Sequence, residues 1–260
     1  MRARSAFSIQ RNVIFAIFLR EMNARFSTYT LGNAWILIEP ILLIVIFSVL
    51  FGLRGRGAFG YADSEVFILA GFVPFKLIWQ TTLKKVMSSK GAARGLLGFR
   101  QIRLFDVMIA RSIVEICIFL VAGTVLVAGM VWIGFDAVPG DTLLVLFYCL
   151  LFWLLAFGIG VLACVLGDFA REIEKLIALM SMPLMILSAV FYPMTIIPAR
   201  YHQIMSYNPL VHANELIREA WLPLYTSPVA DFEYLMTWIL CTMALGIASY
   251  RLRWRRMVAS

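Results

Sequence analysis

Residues Asn33–Leu53 read NAWILIEPILLIVIFSVLFGL, an apolar run whose one ionisable side chain is Glu39. About 20 mostly apolar residues suffice to carry a helix across roughly 30 Å of hydrocarbon, so this stretch alone predicts a membrane-spanning element. Its approach is unusual. The preceding residues, Leu19–Gly32, read LREMNARFSTYTLG, and a Gly-Asn pair and a Glu-Pro pair follow. A plain membrane anchor needs none of these. A Glu followed by Pro about one and a half turns into a span is costly unless protein or water surrounds it. Glu39 is therefore expected to face a partner helix or a hydrated vestibule.

Working outward, five more segments are long and apolar enough to span, at about 66–83, 105–134, 141–166, 173–192 and 231–250. The chain is 62% hydrophobic and 15% charged, whereas soluble domains carry about a quarter charged residues. Asp106, Arg111 and Glu115 sit at the start of the third segment, so that helix is expected to begin outside the hydrocarbon. The expectation is an all-α polytopic membrane protein with six transmembrane helices. With six spans, 17 of the 23 lysines and arginines fall on one side, while Arg54, Arg56, Arg200 and Arg218 fall on the other. Lys76 and Arg111 lie within spans. The positive-inside rule then places both termini in the cytoplasm. The net charge of +8 describes a cytoplasmic rim rather than a nucleic-acid face. Cys117, Cys149, Cys164 and Cys241 all lie in apolar spans without close spacing and read as packing residues.

Arg2 and Arg4 precede the apolar run Val13–Leu19, but that run ends in Arg20-Glu21 without a small-residue cleavage site, which argues against a cleaved signal. Residues 8–28 instead predict an amphipathic interface helix. Phe15, Phe18, Leu19, Met22 and Phe26 form one stripe, and Arg20, Glu21, Asn23 and Arg25 lie off it, towards the cytoplasm. In the second span Pro74 predicts a kink. Lys76 and Gln80 lie one turn apart near mid-span, where an ionisable group is a functional candidate, although a lysine also snorkels. The stretch KKVMSSKGAARGLLGFRQIRL, residues 84–104, is a basic inner loop expected to hold a short helix broken at its glycines. Residues 193–230 are cut by Pro193, Pro198, Pro209, Pro223 and Pro228 and predict short re-entrant helices in the outer leaflet. One of these starts with Asn208 as cap and Pro209 at the first helical position. Tyr192, Tyr201, Tyr207, Trp221 and Tyr225 are placed at headgroup depth. No internal repeat is visible, which weakens an inverted-repeat transporter.

Reactive chemistry is missing from the sequence. It holds no phosphate-binding glycine loop and no metal-ligand spacing. His202 and His212 are isolated, and Ser188 and Ser206 lack a base at readable spacing. A membrane-embedded glycosyl- or phosphotransferase needs an acidic pair at the boundary. The clustered inner acids Asp168, Glu172 and Glu174 are interleaved with Arg171 and Lys175 and read better as a solvated loop. Energy for any transport must come from elsewhere.

Three stretches carry a resemblance: FLREMNARFSTYTLGNAWILIEPILLIVIFSVLFG (Phe18–Gly52), DFAREIEKLIALMSMPLMILSAVFYPM (Asp168–Met194) and YNPLVHANELIREAW (Tyr207–Trp221). They resemble ABC-2 type permeases, and specifically the capsular-polysaccharide exporter permeases of Gram-negative bacteria (KpsM type), over essentially the whole chain. The ILIEP variant and the short 54–65 loop favour the capsule branch over O-antigen or teichoic-acid exporters, which stay as the alternative. The resemblance implies the ABC-2, or type V exporter, fold and a non-catalytic permease subunit without a cofactor of its own. It implies a homodimer with two separate cytoplasmic ABC ATPase subunits, which hold ATP and Mg. The substrate would be a lipid-linked acidic polysaccharide moved across the inner membrane and handed to periplasmic and outer-membrane capsule export proteins. The resemblance places the ATPase contact on residues 8–28 and on a coupling loop at 86–103, with Met87, Ser88, Ser89, Lys90, Arg94, Leu97 and Arg100 as candidates. Candidate substrate-path residues are Arg20, Arg25, Lys84 and Lys85 for an anionic lipid terminus, and Trp35, Phe191, Tyr192 and Tyr201 for sugar stacking. Glu39 and Lys76 complete that set.

Overall fold

The computed structural model describes residues 6–27, 35–53, 62–96, 98, 101–170 and 172–259, and the regular elements among them are helices. In chain order they are α1 (Ala6–Ser27), α2 (Trp35–Leu53), α3 (Ser64–Pro74), a π-helical turn (Phe75–Gln80), α4 (Thr81–Met87) and α5 (Ser89–Ala93). Then come α6 (Leu104–Ile133), α7 (Thr142–Gly167), α8 (Glu172–Leu187), two short 3₁₀ turns (Met194–Ile196 and Ala199–Tyr201), α9 (His202–Met205), α10 (Pro209–Trp221) and α11 (Phe232–Ala259). Four of the helical stretches are long and apolar enough to cross a membrane: Ser64–Met87, Leu104–Ile133, Thr142–Gly167 and Phe232–Met257. Trp35–Ile46 in α2 is a shorter apolar helix. Among the described residues the regular structure is thus all helical, with four helices of the length and composition of a polytopic membrane protein.

α7 is the axis of the bundle. It packs against α11, α4 and α10, and small residues let the backbones close up. A Cβ on Gly160 would stand 2.8 Å from Val86 Cβ, and one on Gly158 would stand 2.9 Å from Thr242 Oγ1. Membrane helices lack a hydrophobic drive between them, so such close contact supplies the dispersion energy that holds them together. Large rings fill the remaining space: Trp79 stacks on Phe152 at 5.9 Å, and Phe67, Phe72 and Phe75 are fully buried.

Capping residues set the helix ends. Asp141 accepts from the Leu144 N–H at the start of α7, and Asn208 accepts from the Leu210 N–H at the start of α10, each at 3.0 Å. α6 stops at Gly134, whose φ of 109° lies in the left-handed region that ends helices. α8 begins at Glu172 but ends at Leu187, short of the apolar segment's limit at 192, because Ala189 turns the chain with a φ of 54°.

α1 lies against the first half of α6. Its buried side chain is Ile17, with Val13, Ile14 and Phe18 packed beside it on Leu104, Val107, Met108 and Ala110. The stripe read from the sequence splits: Phe18 faces protein, whereas Phe15 and Leu19 are exposed. Both faces of such a helix are apolar, one for protein and one outward, so periodicity alone does not tell them apart. Cys149 and Cys164 are buried, while Cys241 on α11 is exposed.

Candidate functional site

A cleft of about 680 Å³ that carries charged side chains on a largely apolar lining opens between α2, the π-turn with α4, and α8. Its construction starts at Pro74, which has no N–H to donate back along the helix. The next six residues, Phe75–Gln80, wind as a π-helix, an arrangement frequent at functional sites. From this wider turn the Lys76 ammonium reaches Glu39 of α2 at 2.7 Å. Gln80 donates to the Ser181 carbonyl of α8 at 3.5 Å. Lys84, Lys175 and Glu174 complete the charged lining. The Glu39–Lys76 pair is about one-third exposed on each side, so solvent and mobile anions compete for it and its own contribution to stability is at most about 1 kcal/mol. A carboxylate or phosphate entering the cleft meets three ammonium groups against two carboxylates.

The cationic end of the bundle holds two ion clusters. Arg25 of α1 pairs with Glu115 of α6, and Arg111 of α6 pairs with Glu21 of α1 at 3.3 Å. Gln10 of α1 donates to Asp106 at 3.0 Å. Asp106 and Glu115 are almost fully buried, so protein covers the charges at the start of α6. The second cluster centres on Asp168, just after α7. It pairs with Lys90 of α5 and, at 3.9 Å, with Arg253 of α11. Arg253 also lies over the Phe169 ring, 3.1 Å from its centroid.

At the opposite end α10 wedges between α3, α7 and α11, and its centre is Arg218, which is 0% exposed. The guanidinium donates to the carbonyls of Ala189 (2.6 Å) and Val190, pairs with Glu215 at 2.8 Å, and lies 3.9 Å over the Phe67 ring. It thereby satisfies carbonyls just past the C-terminal end of α8. The Tyr225 hydroxyl donates to Glu215 and accepts from the Met194 N–H. Gly71 makes room: a Cβ there would stand 2.8 Å from Arg218 Cζ and 2.9 Å from the Val190 carbonyl. His212 donates from Nε2 to the Ser206 carbonyl and accepts at Nδ1 from the Asp231 N–H, an arrangement that suits a neutral ring. Trp221 donates to the Ala137 carbonyl at 3.0 Å, closing the wedge onto the α6–α7 connection.

The structure brings together only part of what the sequence nominated. Glu39, Lys76 and Lys84 share the cleft. Lys85 turns the other way, into the electrostatic neighbourhood of Glu115, Arg25 and Arg111. Arg25 points inward to Glu115 instead of outward to the cytoplasm, and Arg20 is exposed. Phe191 is buried and stacks on Phe72 at 5.9 Å, because the turn at Ala189 folds it into the core; it offers no ring to a sugar. Tyr192 is half-buried with its hydroxyl on the Ile186 carbonyl, whereas Trp35 and Tyr201 are exposed. In the coupling segment Met87 and Ser89 are buried, Ser88 is half-buried, Lys90 holds Asp168 and Arg94 is exposed. Leu97 and Arg100 lie outside the described residues. The sequence reading missed Glu215 and Arg218 as a pair, although their spacing of three within a helix was a readable signal.

Comparison with known proteins places this geometry. The ABC-2 type transporter family matches residues 12–222. The polysialic acid transport protein KpsM of Escherichia coli is 33% identical over 260 residues, covering 99% of this chain and 100% of that protein. The capsule polysaccharide export inner-membrane protein CtrC of Neisseria meningitidis serogroup B is 26% identical, covering 92% of this chain and 89% of its own length. Its counterpart BexB of Haemophilus influenzae is 24% identical over 94% of this chain and 92% of its own length. A match of this extent, on a bundle of this composition, decides the matter: the chain belongs to the ABC-2 type transporter family.

Proposed function

We propose that this chain is the permease subunit of an ATP-driven exporter that moves lipid-linked capsular polysaccharide from the cytoplasm across the inner membrane. The full-length similarity to the KpsM, CtrC and BexB proteins supports the substrate class. The observation that carries the reading is the cleft. Its charged lining lies between α2 and α8, and of the α8 residues only Met185 is buried. Charged groups facing lipid are costly, so in a working assembly a second copy covers this face and encloses the cleft as a polar path between protomers. Lys76, Lys84 and Lys175 then suit a carboxylated polymer or its phosphate-bearing lipid end.

In this reading the chain crosses the membrane six times, with α2 and α8 as the two thinner spans and both termini in the cytoplasm. α10 and its neighbours form a re-entrant plug at the periplasmic side. ATP hydrolysis resides in two separate ABC ATPase subunits, and periplasmic and outer-membrane capsule export proteins receive the polymer. α1 and the segment around α5 form the contact with the ATPase, so closure of the partner acts on the permease as a rigid-body push.

Co-purification and surface display test this together. The tagged chain is expected to bring down an ATP-binding subunit, and deleting its gene is expected to leave polymer inside the cell. Normal surface capsule in the deletion strain, or export by this chain with no nucleotide-hydrolysing partner, would overturn the reading.

A further inference from the structure

The two segments assigned above to the ATPase contact, α1 and α5, are physically joined through one buried side chain of α6. Arg111 is 7% exposed. Its Nε faces Glu21 of α1 at 3.3 Å, and its Nη1 donates to the Ser88 hydroxyl at 3.3 Å and the Ser89 hydroxyl at 3.5 Å. Those two serines are the joint between α4 and α5. Ser88 breaks the helix with φ −83° and ψ 8°, and α5 restarts at Ser89. Each serine spends its own proton on a carbonyl four residues back, Ser88 on Lys84 and Ser89 on Lys85, both at 2.9 Å. Their lone pairs are left for Arg111, so the polarity of the chain is fixed from Glu21 to the carbonyls of α4. Arg25–Glu115 runs parallel to it, again from α1 to α6.

We infer that Arg111 is a positioning residue that locks α1 to the α4–α5 joint, so that the permease receives one concerted push rather than two separate ones. The inference rests on the permease reading and adds a device to it: the charge chain Glu21–Arg111–Ser88/Ser89 transmits displacement of α5 to α1, and through the π-turn helix to the cleft. Glu21, Arg111 and Ser89 lie off the cleft, whereas Ser88 lines it, so Ser89 is the member of the chain that reports on coupling without touching the polymer path.

The test uses the full permease–ATPase complex in proteoliposomes, reading ATP hydrolysis and polymer translocation in the same sample. Ser88→Ala with Ser89→Ala removes the two Nη1 acceptors and leaves the Glu21 ion pair in place. With assembly intact it is expected to raise the ATP consumed per polymer translocated at least fivefold, and Ser89→Ala alone, which leaves the cleft lining untouched, is expected to raise it in the same direction. Arg111→Lys, which keeps the charge but gathers its donors on one nitrogen in place of the planar fork that reaches Glu21 and both serines, is expected to show a smaller rise. Glu21→Arg with Arg111→Glu is expected to recover assembly relative to either single reversal, without restoring the ratio. An unchanged ratio in the double serine variant, with active wild type beside it, would overturn the inference alone. A wild-type complex that shows no ATP-dependent translocation would overturn the permease reading and this inference with it.

Discussion

α7 and α8 follow each other in the chain and are both rich in leucine, yet the bundle treats them oppositely. α7 is buried over much of its length, with Phe152 against Phe75 and Trp79 of the π-turn and Gly158 and Val161 against α11. α8 exposes Leu176, Leu179, Met182, Ile186 and Leu187 and buries only Met185. Leucine content does not separate them. The difference lies in glycines: α7 carries Gly158 and Gly160 where neighbouring backbones press in, and α8 has none. One helix is the frame. The other is fastened mainly at its end, by Arg218 on the carbonyls of Ala189 and Val190.

The comparison breaks most readily at that fastening. Arg218→Ala leaves Glu215 buried without its cation, which costs about 3–5 kcal/mol. It is expected to lower thermal stability in detergent and free the α8 end to proteolysis. Retained melting temperature and protease resistance would show that α8 holds without it. A next, smaller effect distinguishes frame from free helix. Gly160→Leu overpacks against Val86 and is expected to cost about 1–3 kcal/mol. Leu179→Ala on α8 is expected to change stability by less than about 0.5 kcal/mol while weakening the proposed dimer in cross-linking. Similar losses for both would erase the contrast. Small in stability as well is the cleft pair: Lys76→Glu is expected to cost no more than about 1 kcal/mol and to reduce export of an anionic polymer. Glu39→Lys with Lys76→Glu is expected to restore the stability through the reversed pair. If it also restores export fully, pairing matters and the position of the cation does not.

Much of this frame was legible without coordinates. An apolar run of 20 residues has few physical options, so the helices Leu104–Ile133 and Thr142–Gly167 fall almost on their apolar segments. Asn208-Pro209 announced the start of α10 through cap chemistry that operates locally. The charges were harder. Arg25 reads as turned to the cytoplasm because its partner Glu115, 90 residues away, is invisible to local periodicity, and the Ala189 and Val190 carbonyls that Arg218 holds, 29 and 28 residues away, are invisible for the same reason. Glu39 announced a need for a polar neighbour, but nothing in the sequence could single out Lys76. Phe191 misled for another reason. An aromatic near a span end reads as an interfacial ring until a single left-handed residue, Ala189, folds it inward.

The π-turn at Phe75–Gln80 has one more consequence, which concerns phase. A regular helix advances about 100° per residue, so one surplus residue rotates everything after it by that angle relative to everything before. The helix from Ser64 to Met87 therefore runs on two clocks. Before the turn, Gly71 keeps time with Arg218; after it, Val86 keeps time with Gly160. Deleting one residue between Phe75 and Gln80 would leave every remaining side chain chemically intact and set the second clock wrong, carrying Val86 off Gly160 and Lys84 out of the cleft together.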